Sequence, residues 1–317
     1  MKRLIRRIFW TLVIVLAVVI AGIWCLATRD YTEYFRERKG TLATVQEQKA
    51  GATAVFTKSW LKLESPSGLT VNCGILAPKG KGAVYPALIL LGGKATGKYA
   101  VDYALDIDNV IIVAVDYPYE PREKYTAWNF IADIPAIRRA LIDMMPSVML
   151  VTDYLWQRSD VDTSRIVMLG YSFGAPFVPC IMANDRRPAV AAMVYGGGEL
   201  RTLIGYNVER YEGRWAGLAV GVLSGLLLRP VEPLRFVASI SPRPLVMING
   251  AEDEQVPRRN AELLFAAARE PKKQIWLESK HVRPENTELT KQIVGKLKAE
   301  LTKLRILRPK QRVGGEK

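Results

Sequence analysis

The sequence predicts an α/β domain, built on a mostly parallel sheet with helices on both faces and preceded by one N-terminal transmembrane helix. Three observations carry that prediction. Short apolar runs (Pro86–Leu91, Val110–Val115, Ile166–Leu169, Val190–Tyr195, Pro244–Ile248, Gln274–Leu277) alternate with longer helical stretches. This is the pattern of parallel strands covered on both sides. One of these runs feeds Gly170-Tyr171-Ser172-Phe173-Gly174, a tight turn into a helical stretch from Ala175 to Ala183. Finally, Ile8 to Ala27 carries no charge, and about twenty such residues suffice to cross a hydrocarbon core of roughly 30 Å.

The elements follow in order. Lys2, Arg3, Arg6 and Arg7 form a positive cluster before the apolar segment, and Trp10 and Trp24 lie near its ends. Positive charge stays on the cytoplasmic side and tryptophan favours the interfaces, so residues 1–30 read as a cytoplasmic tip and signal-anchor. The remainder then lies outside the cytoplasm, periplasmic or extracellular. The competing reading is a cleaved signal peptide with a small-residue site at Cys25-Leu26-Ala27 and a secreted product. The apolar stretch exceeds the roughly 7–15 residues of such signals, which favours the anchor. Residues 31–52 are polar and read as a stalk or short helix. Residues 53–304 have the size of one domain. The strand-like Ser59–Glu64 and Leu69–Leu76 read as a hairpin through Ser65-Pro66-Ser67-Gly68.

The helical stretch Trp128 to Gln157 contains Pro135 and Pro146 and reads as kinked or split. Residues 200–241 are too long for a plain connection. They contain Trp215 to Leu228, which is too short to span a bilayer and unusually apolar for a surface helix. Two readings stand: a helix packed within the domain, or a cap over the site whose apolar face meets an acyl chain or the bilayer. Residues 305–317 read as a basic tail, either solvated or resting on anionic lipid.

Net charge is +14; the residues before Ile8 supply +4 and Lys296 to Lys317 another +6, which leaves +4 for the domain between. The basic excess is therefore terminal, and a nucleic-acid groove is not expected. One histidine and three scattered cysteines leave no zinc site, and no cofactor is expected. Cys73 and Cys180 read as buried thiols, although an exported domain could pair them.

A turn serine held between a strand and a helix presents its hydroxyl above the sheet edge. Serine is a weak nucleophile at neutral pH and needs a base. His281 is the sole histidine, so a Ser-His mechanism has no other imidazole. It lies in a loop between the Gln274–Leu277 strand and a helical stretch from Pro284 to Leu304. A carboxylate must orient the ring. Glu252, Asp253 and Glu254 all follow the Leu245–Ile248 strand, and Glu199 follows Gly196-Gly197-Gly198. For an oxyanion, one N–H is expected from Phe173 and a second from Gly93 or Lys94, in the glycine-bearing loop after Leu91.

The chain resembles the α/β-hydrolase superfamily, nearest to its dienelactone hydrolase, acetyl-esterase and prolyl-oligopeptidase-like branches. Val161-Asp162-Thr163-Ser164-Arg165-Ile166 is similar to their lead-in to the nucleophile turn, and Gly250-x-x-Asp253-x-x-Val256-Pro257 to their acid loop. The resemblance covers roughly Trp60 to Leu304. It implies the chain order Ser172, Asp253, His281 and selects Asp253 among the acids. Two positions depart from the family pattern: Leu91 stands where many members have histidine before Gly92-Gly93, and Ser279-Lys280 where many have glycine. The implied activity is hydrolysis of a carboxylic ester or thioester, with a small-molecule or lipid-like acyl ester as substrate. The alternatives are a serine peptidase, an acyltransferase, or a hydrolase fold kept as a binding or scaffold domain.

Overall fold

The computed structural model describes residues 2–80, 83–93, 96–103, 107–119, 122, 127–283 and 285–308. Helix α1 (Lys2–Thr28) is long and apolar enough to cross a membrane, and its most apolar window is unburied. Next come α2 (Thr32–Lys39), β1 (Thr44–Ala52), β2 (Phe56–Glu64), β3 (Thr70–Pro78), β4 (Tyr85–Leu91) and β5 (Ile111–Val115). Then follow α3 (Ala127–Gln157), β6 (Val161–Tyr171), α4 (Phe177–Asn184), β7 (Val190–Val194), α5 (Leu200–Glu212), α6 (Arg214–Leu227) and α7 (Pro233–Phe236). The chain closes with β8 (Leu245–Gly250), α8 (Arg258–Ala267), β9 (Lys272–Leu277) and α9 (Thr287–Lys303).

The strands form one sheet in the order β1-β2-β3-β5-β4-β6-β7-β8-β9. β1, β2, β3 and β5 pair antiparallel, and every pairing from β5 through β4 to β9 is parallel. Alternate residues face opposite sides. Ile111, Val113 and Val115 pack with α3 and α4, whereas Ile112 and Ala114 pack with residues of α9. Both faces are covered, which is why the parallel strands read as unbroken apolar runs.

The segment expected as a stalk is folded onto the domain. Phe35 of α2 is buried, Tyr34 donates to Asp143 at 2.5 Å, and Lys39 pairs with Asp153 at 2.5 Å. Residues of β1 pair along β2 at the sheet edge, yet all nine are exposed. With neither face buried, no apolar alternation marks β1 as a strand.

Helix α3 runs unbroken through Pro135 and Pro146, where a kink or split is expected from sequence. Pro146 has no N–H to return to the preceding turn. The Ser147 hydroxyl donates to the Asp143 carbonyl at 2.7 Å, and buried Met144, Met145 and Val148 hold this half of the helix on the sheet.

Residues 200–241 form a helical hairpin, α5 and α6, followed by a 3₁₀ turn (Arg229–Val231) and α7. Glycines make the α5–α6 seam. A Cβ on Gly221 would lie 2.6 Å from the Arg201 carbonyl, and one on Gly205 would lie 2.9 Å from that of Gly217. Gly217 and Gly221 are the residues α6 buries, and Trp215 and Leu218 face outward. α6 is packed within the domain, but only along a narrow glycine stripe, which leaves its outer face uncovered.

The C-terminal ends of β4, β6, β8 and β9 lie along one edge of the parallel sheet. In an open α/β sheet this is the edge where ligands bind, and it carries the turns with Gly93, Ser172, Asp253 and His281.

Candidate active site

Ser172 follows the last residue of β6 and opens a short 3₁₀ turn into α4. Its φ is +49°, in the left-handed region that a residue with a Cβ rarely occupies. Strain of this kind persists where packing imposes it, and the flanking glycines supply that packing. A Cβ on Gly170 would meet Ala175 Cα at 2.7 Å, and one on Gly174 would meet the Leu91 carbonyl oxygen at 2.3 Å. The glycines thus serve close approach, and the serine itself takes the left-handed turn. Gly174→Ala would push against backbone rather than a flexible side chain. The expected result is a loss of about 2 kcal/mol, and so a melting temperature lower by several degrees, as differential scanning fluorimetry would measure.

His281 Nε2 lies 2.7 Å from Ser172 Oγ. On the far side of the ring, Nδ1 lies 2.9 and 2.8 Å from the two carboxylate oxygens of Asp253. The His281 and Asp253 side chains are only 4% and 2% exposed, so the pair is shielded from water. Asp253 Oδ1 also accepts the backbone N–H groups of Gln255 and Val256, at 2.7 and 2.9 Å. These bonds fix which way the carboxylate faces. In such a chain a proton can pass from the hydroxyl to the imidazole while the carboxylate holds the ring and stabilises its charged form.

The competing acids have other places. Glu254 accepts the backbone N–H of His281 at 2.9 Å and a guanidinium N–H of Arg283 at 3.1 Å. Glu199 accepts from Thr202, and the Glu252 N–H donates to the Ser279 carbonyl. The hydrogen bond from the His281 N–H holds the Glu254 carboxyl down at about 2. A depressed carboxyl pKa contributes stability above the unfolded value, and that contribution is lost as pH falls toward the folded one. The window for Glu254 therefore runs from about 4.5 down to about 2. Thermal melts across this range are expected to show a smaller acid-induced drop for Glu254→Gln than for the parent protein.

The structure adds two tyrosines that sequence reading does not single out. Tyr195 stands perpendicular to the imidazole, with centroids 5.4 Å apart, and its hydroxyl bonds to Ser279. The Tyr117 hydroxyl donates to the Gly92 carbonyl, and its ring packs edge-on against Phe173 at 5.1 Å. Burial raises the pKa of Tyr117 above the ordinary range, so the phenol stays neutral and a donor. Tyr117 thereby ties the loop after β4 to the residue after Ser172. Its position two residues past the end of β5, at the sheet edge, is the signal that could have found it.

Gly93 and Phe173, with Ser172 and His281, line one cavity of about 990 Å³. A Cβ on Gly93 would meet nothing within 4 Å, so this backbone borders open space. Lys94, the other expected donor, lies outside the described residues. The rest of the wall is mostly apolar, with Leu200, Leu203 and Ile204 of α5, Leu141 of α3, and Leu228 and Val231 beyond α6. Cys73 and Cys180 carry free thiols in the core, and burial pushes both thiols upward in pKa. Among the described residues, no group of three or more His, Cys, Asp or Glu side chains is arranged to hold a metal ion.

A mostly parallel sheet, a serine in the left-handed turn after β6, and an acid and a histidine after β8 and β9 are the marks of the α/β-hydrolase fold, and the chain has that fold. Within it, residues 143–286 match the prolyl oligopeptidase family. The acetyl xylan esterase 1 of Thermoanaerobacterium sp. JW/SL YS485 superimposes with a TM-score of 0.60 at 13% identity, over 85% of this chain and 94% of that one. The acetyl xylan esterase of Paenibacillus sp. R4 does so with a TM-score of 0.61 at 14% identity, over 84% and 92%. At such identities the likeness speaks to the fold. The uncharacterized protein YfhR of Salmonella typhi is 30% identical over 129 residues, which are 39% of this chain. The chain thus spans 42% of the length of that curated relative.

Proposed function

We propose that this protein is a membrane-anchored serine hydrolase that cleaves a carboxylic ester or thioester through Ser172, His281 and Asp253. The observation that carries the reading is the unbroken hydrogen-bonded chain Asp253–His281–Ser172 at the wall of a largely apolar cavity. Ser172 Oγ attacks the carbonyl carbon while His281 Nε2 takes its proton, and the carbonyl π electrons move to oxygen. Backbone N–H groups of Phe173 and Gly93 hold that oxyanion. On collapse the C–O bond to the alcohol breaks and His281 protonates the leaving oxygen. Water, deprotonated by His281, then attacks the acyl-serine. The acid departs, and the proton returns to Ser172. Helix α1 supplies the anchor, with the basic tip in the cytoplasm and the domain outside it.

The match to the prolyl oligopeptidase family favours a second reading, a serine peptidase acting through the same groups. One panel separates the two. p-Nitrophenyl esters from acetyl to dodecanoyl are measured beside aminoacyl and dipeptidyl p-nitroanilides. The apolar wall predicts ester turnover with kcat/KM rising about ten-fold or more from acetyl to medium chains, since each buried methylene contributes about 0.8 kcal/mol. A flat profile, or faster anilide cleavage, overturns the ester reading.

A further inference from the structure

We infer that the α6 face beside the end of α1 lies against the bilayer, and that the cavity takes its acyl ester from the lipid phase there. The substrate part of this inference rests on the ester-hydrolase reading above; the docking part does not.

Three observations converge. The first is composition. From Trp215 to Leu228 there is no charged residue, and Arg214 and Arg229 bracket the stretch. Trp215 is 80% exposed, Leu218 53% and Val222 38%. Their spacing places them on one side of the helix, flanking the glycine stripe that packs on α5. An apolar helical face with a tryptophan at one end and arginines at both suits the headgroup–acyl boundary.

The second is attachment. The end of α1 packs against α6 and against the 3₁₀ turn Arg229–Val231. Arg138 of α3 makes the joint. It donates to the Leu227 carbonyl at 3.0 Å, to the Leu26 carbonyl at 3.3 Å and to the Tyr31 hydroxyl at 2.7 Å. One guanidinium thus caps the C-terminal ends of both α1 and α6, where carbonyls lack helical partners and a cation is favoured. A span that leaves the bilayer at Leu26 brings α6 to the membrane surface with it. This continuity with the span commits the occupant of the α6 face to lipid rather than to another protein.

The third is the path inward. Val231, in the turn that α1 touches, lines the cavity. So do Leu228, just past α6, and Leu141, one helical turn beyond Arg138. The cavity wall nearest the anchor is therefore apolar and backed by the elements that meet α1. An acyl chain leaving the bilayer beside α1 would pass from lipid to side chains of similar polarity. Its ester group would then reach Ser172 without the tail crossing water.

The test uses the full chain in phosphatidylcholine vesicles with a minor fraction of phosphatidylglycerol. A Leu218→Cys, Cys25→Ser variant is labelled with a nitrobenzoxadiazole dye, and Glu288→Cys on α9 serves as a control. Quenching by doxyl-lipid at position 218 but not at 288 is expected. Quenching at neither, or a second copy of the chain covering position 218, overturns the docking. In a second arm, Trp215→Ser, Leu218→Ser and Val222→Ser are combined. This variant is expected to keep 4-methylumbelliferyl butyrate hydrolysis within about two-fold, and to lose about ten-fold or more on 4-methylumbelliferyl palmitate held in the vesicles. Equal rates of parent and variant on the vesicle-borne ester overturn delivery from the lipid phase. Should the triple variant fail to fold, the dye measurement still decides the docking. A parent chain that hydrolyses neither ester, with Ser172 unlabelled by fluorophosphonate, overturns the ester reading and leaves the docking result standing.

Discussion

Ser172→Ala is expected to lower kcat for ester hydrolysis by about 10⁵- to 10⁶-fold, and to abolish labelling by a fluorophosphonate probe. Ser172 Oγ is the atom that His281 Nε2 meets at 2.7 Å, and it is the atom that would carry the acyl group. The change removes the nucleophile and leaves the left-handed backbone at +49° to be held by the same packing, so the fold should survive. Near-parental melting temperature with no labelling would support the mechanism. Undiminished labelling, or a kcat within about ten-fold of the parent, would sink it. His281→Ala is expected to fall nearly as far, because groups acting as a unit are not additive.

Asp253→Asn should cost about 10⁴-fold in kcat with little effect on KM. The reason lies in what Oδ1 already does. It accepts the N–H groups of Gln255 and Val256 at 2.7 and 2.9 Å. An asparagine must keep its carbonyl oxygen toward those two donors, which turns its NH₂ toward His281 Nδ1. A donor facing Nδ1 selects the tautomer with hydrogen on Nε2, and that ring cannot take the Ser172 proton. The outcome distinguishes Asp253 from its neighbours. Glu252→Gln should leave kcat near the parent value, and Glu254→Gln should act through the His281 backbone and so cost far less. If Asp253→Asn lost less activity than Glu254→Gln, the acid would have been assigned to the wrong residue.

Much of the architecture is legible because burial leaves a mark on composition. Strands β4, β5, β7 and β8, and the second half of β6, are buried along their length, so each is a short apolar run and is visible as one. The edge strand β1 is exposed along its whole length, so its only cause is backbone pairing with β2, which side-chain pattern does not record. The continuity of α3 was hidden for a related reason. Two prolines argue locally for breaks, and it is the packing of the second half on the sheet, together with the Ser147 bond, that holds the helix together.

The candidate site divides along the same line. The sequence by itself determined the order serine, acid, histidine, each in a loop at the end of its own strand. It also left one imidazole in the whole chain and one apolar segment able to span a bilayer. These are properties of residue type and chain order. The family resemblance selects Asp253 among the acids, and only the tertiary structure decided what each of the three consecutive ones bonds to. Asp253 bonds to Nδ1, Glu254 grips the backbone N–H of the same histidine, and Glu252 meets it through neither. It also decided that Tyr117 ties the β4 loop to Phe173, and that Arg138 joins α1 to α6. Those pairings link residues far apart in the chain. A side chain's direction at a given turn is set by the backbone that packing imposes, and no local period encodes it.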